Sequence, residues 1–444
     1  MINEDLFTYL IFYNMTKMKH LLSQLYLLAL LALPVFVASC AEDDEEEIQE
    51  LKVSIAGMTD GSTVNVGGTV TMSALIESET IDPIYSWKIN GEEVSTGDKL
   101  TFSPEEKGTY DITLTVTDIE QTKETSLTLN AQLYPAQFYV INEGQYGKGA
   151  SVNRYAGQTW QNRIIEGLGE TGTVAYTDED YMYIVTKNAP QLTKVEKEGY
   201  TTVGSLSLNS GVANSFHILN NLQAILTTDN GAYIVNLETM ELGEKLEGTV
   251  NCTDIYRNYG HLFIIDQNAI KVYNDATLTF KQTLPYQAIT GFARTNNGKI
   301  LWAANGTTLV KINMETLESE EVELPDGLSV YYNSMAYTPS CLQGSMTENA
   351  LYFTTPSGFN GKDIYKYDTA TGEATLFFTA PEGKMTYGSC IQVDPYNGDV
   401  YLLYVQNDYS PVAGIYIADG VSGEQKAKLD YSGEYWFPSS ILFE

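Results

Sequence analysis

The sequence predicts an all-β chain of two domains, and three observations predict it. The stretch from Phe138 to Gly157, FYVINEGQYGKGASVNRYAG, is a run of β-forming residues, a Gly-rich polar loop, a second run and a turn. The same grammar returns six more times, with leading strands that begin at 138, 181, 222, 261, 299, 351 and 400. Ahead of it, residues 51–131 alternate apolar and polar positions at the two-residue period of half-buried strands. A repeat every 38 to 52 residues, built of short strands and turns, is the signature of propeller blades. The expected architecture is a seven-bladed β-propeller over residues 137–444 behind a small β-sandwich. The long last two intervals leave six or eight blades open.

In chain order, residues 1–39 read as a targeting segment of the lipoprotein type. Lys17 and Lys19 give a basic start, Leu21 to Val37 an apolar core, and Val37-Ala38-Ser39-Cys40 a small-residue cleavage site. That ending resembles the lipobox of bacterial lipoproteins, in which the cysteine receives lipid, so Cys40 is the lipidation candidate. A plain signal peptide or an anchor is the alternative; Gln24, Tyr26 and Pro34 weaken a permanent membrane span. Residues 40–50 carry the acidic run Glu42 to Glu47, which by itself is a solvated, self-repelling tether. Directly behind a lipidated cysteine it resembles the surface-export signal of Bacteroidetes lipoproteins, and implies an outer-membrane protein facing the exterior.

The net charge is −32, and the targeting segment does not change it, since Glu4 and Asp5 balance Lys17 and Lys19. So acidic a surface repels phosphate backbones, and no basic cluster offsets it, which excludes nucleic acid as a partner. Membrane contact is expected through the lipid anchor alone. Once Cys40 is acylated, Cys252, Cys341 and Cys390 remain: an odd number without CxxC, hence neither a disulfide framework nor a zinc site. Cys341 and Cys390 either pair across adjacent blades or stay as buried free thiols.

In residues 51–131, Leu51–Ile55, Gly68–Ile76, Ile84–Ile89 and Tyr110–Val116 are the expected strands, with Asn90-Gly91 as a hairpin turn. Trp87 and the run Gly108 to Asp118 resemble polycystic-kidney-disease (PKD)-type and related immunoglobulin-like modules, which implies a spacer or docking role with Trp87 as core. Residues 132–136 form a linker in which Pro135 marks the change of domain. At the far end, residues 436–443 (WFPSSILF) match an innermost strand, and nothing ahead of Phe138 supplies one. The last strand should complete the first blade and so remove the open edges of the array.

Motifs that suggest chemistry have blander readings. Residues 167–172, GLGETG, fit GxGxxG but lead into another strand, so no helix N-terminus is available for a pyrophosphate. Residues 394–399, DPYNGD, lack the regular oxygens of a calcium loop and read as a turn. His217 and His261 lack the spacing of metal ligands and read as core or turn residues. A propeller can house a quinone, but Trp87, Trp160, Trp302 and Trp436 do not recur blade by blade. No cofactor, metal or catalytic residue is expected, and the chain does not read as an enzyme.

Binding is the better prospect. The loops between second and third strands carry Asn142, Asn188, Asn230, Asn268, Asn305, Asn360 and Asn407, one for each blade. Asparagine bends turns at little cost, so turn formation competes with ligand contact as the reason. Beside them lie Tyr146, Phe359 and Tyr409 in loops, and Tyr331, Tyr332, Tyr387, Tyr435 and Trp436 in the connections between blades. Rings with amides around them suit a large, neutral, amphipathic ligand. The inserts 325–333 and 406–412 exceed what a blade requires.

The lipobox, the start Phe138-Tyr139-Val140-Ile141-Asn142-Glu143-Gly144 and the ending Pro438-Ser439-Ser440-Ile441 resemble a Bacteroidetes family of surface lipoproteins with a DUF5074-like propeller. Its best understood members capture vitamin B12 and pass it to a TonB-dependent outer-membrane transporter. The resemblance implies a non-enzymatic capture protein with a corrinoid ligand and such a transporter as partner. A surface glycan-binding protein and a protein-interaction scaffold stay open beside it.

Overall fold

The computed structural model describes residues 50–77, 82–118, 121–145, 147–332, 341–358, 360–433 and 437–444. The targeting segment, Cys40 and the acidic run lie outside these residues, as do the candidates Tyr146, Phe359, Tyr435 and Trp436. Among the described residues the chain is strand and turn apart from one 3-10 turn, Pro325–Gly327, and no helix is long and apolar enough to cross a membrane.

The first domain is a sandwich of two sheets. One sheet orders the strands Val53–Ala56, Val70–Ile76 and Lys99–Phe102; the other orders Ser62–Asn65, Thr122–Gln132, Gly108–Thr117, Ile84–Ile89 and Glu92–Ser95. Alternation along Gly108–Thr117 sends Ile112, Leu114 and Val116 inward onto Trp87, and all four are fully buried. The Trp87 indole nitrogen donates to the Gly97 carbonyl at 3.0 Å, so the ring is buried without an orphaned donor. Asn90 and Gly91 both have positive φ, as a two-residue hairpin turn requires. The sequence reading does not anticipate Thr122–Gln132, because its polar first half, TKETS, hides the inward Leu127 and Leu129.

From Phe138 onward the described strands form seven four-stranded antiparallel sheets, each sequential except one. That one, blade 1, takes Pro438–Phe443 as its first strand, followed by Phe138–Asn142, Ser151–Ala156 and Thr159–Ile165. Phe443 pairs with Phe138 and Ile441 with Val140, so the chain's end seals its beginning as expected. Blades 2 to 7 start at Gly172, Ala213, Cys252, Ala293, Leu342 and Lys384.

Cohesion lies between blades rather than within them, because a single twisted sheet has two faces to cover. Seven apolar clusters fill the seven seams, from Ile141, Val152 and Ile184 between blades 1 and 2 to Phe138, Tyr401, Leu403 and Ile441 between blades 7 and 1. Trp160 packs into that closing seam, and Trp302 into the seam of blades 5 and 6.

The connection of 132–136 is more than a spacer. Tyr134 is buried, its carbonyl accepts from the Tyr155 hydroxyl at 2.9 Å, and its own hydroxyl donates to Asp399. Asp399 also pairs with Lys426 at 2.8 Å, so the 394–399 turn anchors the linker to blade 7. The sandwich itself docks on the outermost strand of that blade, Gln425–Ser432. The Thr69 amide donates to the Gln425 carbonyl at 3.1 Å, and Gln425 Nε2 donates back to Gly67. A Cβ at Gly67 would stand 2.6 Å from the Lys428 nitrogen, so only glycine allows this approach.

Candidate functional site

Antiparallel order places the loops between second and third strands on the same face as the blade-to-blade connections, so this rim gathers the sequence candidates. It treats them differently. Asn142 is a correction: it is the last residue of its strand, fully buried, and unable to reach a ligand. Its amide donates to Ser151 Oγ at 3.2 Å and accepts from the Tyr431 hydroxyl at 2.5 Å, which makes it a core residue. Asn268, with Gln267, sits at positive φ in a tight turn. Asn188 and Asn305 use their carbonyls to accept from Thr186 at 2.9 Å and Thr308 at 3.2 Å, and Asn407 donates its amide N–H to Gly383 at 3.0 Å. Asn230 donates its side chain to the Ser210 carbonyl at 3.3 Å. These bonds are those of turn residues.

Blades 6, 7 and 1 bring several of the others together. In blade 7 the ladder between Lys384–Val393 and Val400–Gln406 stops at Thr386↔Tyr404 and resumes at Ile391↔Leu402. Residues 387–390 bulge out of it. Gly388 makes this fit: φ is 60°, and a Cβ there would lie 2.7 Å from the Ser439 carbonyl on the closing strand. The bulge sets the Tyr387 ring 4.8 Å from Phe437. Glu143 is held from behind by its own N–H, which donates to the Phe437 carbonyl at 2.8 Å.

Burial raises the pKa of Glu143, and the bond from Tyr387 opposes the rise. Its Oε2 is buried without a hydrogen-bond partner. Tyr331 and Tyr409 lie within electrostatic reach of Tyr387. Tyr331 is 9% exposed and belongs in part to the seam of blades 5 and 6, whereas Tyr409 is 47% exposed. Asn360 donates to the Tyr409 hydroxyl at 3.0 Å, tying the loops of blades 6 and 7. Tyr409 itself sits at φ 60°, an unusual conformation for a large side chain. Tyr332, next to Tyr331 in sequence, is half-buried. The motif NEG contained Glu143, but an acidic residue in so acidic a chain gave no signal.

Below the rim, the first strands of the blades enclose a cavity of about 290 Å³. Tyr176, His217, Asp254, Phe292, Gln343, Gln392 and Ser440 line it, one from each blade's inner strand or its approach. Asp254 is fully enclosed; burial lifts its carboxyl to about 6, against bonds from the Phe292 N–H at 2.7 Å and Ser215 Oγ at 2.8 Å. Ser215 is linked in turn to the Tyr176 hydroxyl at 2.8 Å. Burial and the nearby Arg257 hold His217 down at about 4. Sequence reasoning missed this cavity because inner strands are short and mixed in polarity; blade 5 contributes only Ala293–Arg294.

The motifs set aside stay structural. A Cβ on Gly169 would lie 2.1 Å from the Asn188 carbonyl, so the GxGxxG glycine serves a close approach between blades 1 and 2. His261 bonds Met314's carbonyl at 3.0 Å and Lys281 at 2.8 Å. Among the described residues no cluster of His, Cys, Asp and Glu could hold a metal. Cys252, Cys341 and Cys390 are buried free thiols.

Comparison with known proteins agrees with this architecture. The chain resembles a quinonprotein alcohol dehydrogenase-like protein from Bacteroides thetaiotaomicron, with a TM-score of 0.54 at 17% identity, over 87% of this chain and 97% of that one. BamB from Moraxella catarrhalis follows at TM-score 0.39 and 13% identity, over 68% and 85%. AztD from Citrobacter koseri gives 0.41 and 13%, over 74% and 94%. At such identities the first likeness shows the fold alone. Among curated proteins none matches the sequence. Residues 52–118 match a PKD-like domain, in keeping with the sandwich. Residues 136–444 match the model described as domain of unknown function (DUF5074), which spans all seven blades, and the chain belongs to that family.

Proposed function

We propose that this protein is a non-enzymatic capture protein, lipid-anchored at Cys40 to the outer membrane and facing outward. It holds a nutrient on the rim of blades 6, 7 and 1 and hands it to a TonB-dependent transporter. The observation that carries this reading is the tie between the rim loops of blades 6 and 7, where Asn360 donates to the half-exposed Tyr409 beside the bulged strand that carries Tyr387. The lipobox and the acidic run behind it support the location, and the resemblance to the vitamin B12-capture lipoproteins supports a corrinoid as the leading ligand. A surface glycan stacked on the same rings is the second reading, favoured by the half-exposed Tyr409.

Calorimetry on the mature chain with cyanocobalamin and with a panel of polysaccharides tests the proposal. Binding that Tyr409→Ala weakens at least tenfold supports it. Binding indifferent to both Tyr387→Ala and Tyr409→Ala places the ligand elsewhere and ends the rim reading. Labelling with an alkyne fatty acid tests the anchor: Cys40→Ala should lose the label and be released from the membrane fraction.

A further inference from the structure

We infer that the central cavity is a second binding site, separate from the rim, for a neutral hydroxylated molecule of monosaccharide size held between His217 and Gln343. The inference does not depend on the rim reading.

The argument begins with what the inner strands leave open. His217 belongs to the strand Ala213–Ile218 of blade 3, and Gln343 to Leu342–Gly344 of blade 6. Both side chains line the cavity, and both are half-buried rather than sealed from solvent. Among the described residues neither side chain makes a hydrogen bond. Polar groups inside a fold are ordinarily paired, whereas these two are left to meet whatever fills the space.

Size narrows the occupant. A cavity of about 290 Å³ lies at the small end of ligand pockets, which run from about 300 to 1,000 Å³. It admits one sugar ring and refuses a corrinoid or an oligosaccharide. Tyr176, Tyr256 and Phe292 add aromatic surface to the same wall, which suits the apolar face of such a ring.

Charge then decides the class. Among the described residues no Lys or Arg lines the cavity. Arg257, the cation that bears on His217, is committed to Asp275 at 2.9 Å and to the Leu219 carbonyl at 2.6 Å. Arg294 donates to the Tyr256 hydroxyl at 2.9 Å. An anion would therefore meet the carboxyl of Asp254 with no cation on the wall to offset it. A cation gains little either, because each Asp254 oxygen already accepts a bond, one from the Phe292 N–H and one from Ser215 Oγ. The open groups are a carboxamide and an imidazole that burial keeps neutral. Each both donates and accepts, as an alcohol hydroxyl does.

The test uses the mature chain, which keeps two histidines, His217 and His261, isotope-labelled at the imidazole. D-Glucose, D-galactose and D-mannose are the neutral probes, and the amino sugar and uronate of each are the charged ones. NMR reads the site and calorimetry at constant ionic strength the affinity. At least one neutral hexose should shift the His217 resonance and leave His261, bonded to Met314 and Lys281, in place. Its amino sugar and uronate should bind at least tenfold more weakly, and His217→Ala and Gln343→Ala should each weaken it at least fivefold. Tyr409→Ala should leave it unchanged. Thermal unfolding checks that each variant is folded, and His217→Gln, which keeps a donor and an acceptor, should retain part of the affinity. No shift of His217 with any neutral hexose makes the cavity a water channel and overturns the inference. So does a charged sugar that binds as tightly as its neutral parent, or an affinity untouched by both alanine variants. A hexose lost in Tyr409→Ala with His217 unmoved belongs to the rim and also overturns it. Failure of the rim reading looks different: there, cyanocobalamin or a polysaccharide binds regardless of Tyr387→Ala and Tyr409→Ala, while His217 still answers to the hexose.

Discussion

The hydroxyl of Tyr431, on the outermost strand of the last blade, donates to the side-chain oxygen of Asn142 at 2.5 Å, across 289 residues of sequence. Both groups are buried, so the bond ties the two ends of the propeller beside the strand that closes it. Tyr431→Phe should lower stability by about 1–2 kcal/mol, and Asn142→Ala by more, because it also orphans Ser151. Neither should alter ligand affinity. Chemical denaturation with calorimetry on the same samples reads both quantities.

Closure should be cooperative. Ile441→Asp puts a charge into the seam that holds Phe138 and Tyr401, on a strand paired to Val140. The expected outcome is loss of the single melting transition and self-association through the exposed edge of Phe138–Asn142. Light scattering after size exclusion checks it; a monomer with an unchanged melt would show that the ring does not need its last strand.

Two groups in the central cavity should pull stability in opposite directions with pH. Asp254 titrates at about 6 in the folded chain, above its ordinary value, so the folded state binds the extra proton and stability falls as pH rises from about 4 to 6. His217 titrates at about 4, below its ordinary value, so the unfolded state binds the extra proton and stability falls as pH drops from about 6.5 to 4. Each slope is worth about 3 kcal/mol, and they largely offset. Asp254→Asn should therefore leave a chain that loses stability on acidification, and His217→Gln one that gains it. Urea midpoints at pH 4, 5, 6 and 7 decide the signs.

Docking of the sandwich depends on Gly67. Gly67→Val should drive the Cβ into the Lys428 backbone and separate the domains while each keeps its own core. Faster proteolysis across residues 132–136, with an unchanged propeller melt, is the expected reading.

Much of this was open to inspection in the chain itself, for reasons particular residues show. The middle strands of each blade, such as Tyr181–Thr186 and Val400–Gln406, are buried on both faces and read as apolar runs bounded by turns. The closing strand was visible because blade 1 lacked a first strand. The inner ring was not: Ala213–Ile218 carries Asn214, Ser215 and His217, which carry no period. At the rim, pattern could propose one asparagine for each blade but could not tell Asn142, turned inward, from Asn360, which meets a tyrosine. Glu143 needed the structure, since an unpaired oxygen is a fact of three dimensions.

The sandwich grips Gln425–Ser432, and Tyr134 grips Asp399 on the same blade. Since the Tyr134 carbonyl also holds Tyr155 of blade 1, force applied along the chain from its N-terminal side is shared between blades 7 and 1, the two sheets that meet at the closing strand. Tugging on that module would load the seam that seals the ring, so the join between first and last blade doubles as the mechanical junction of the two domains.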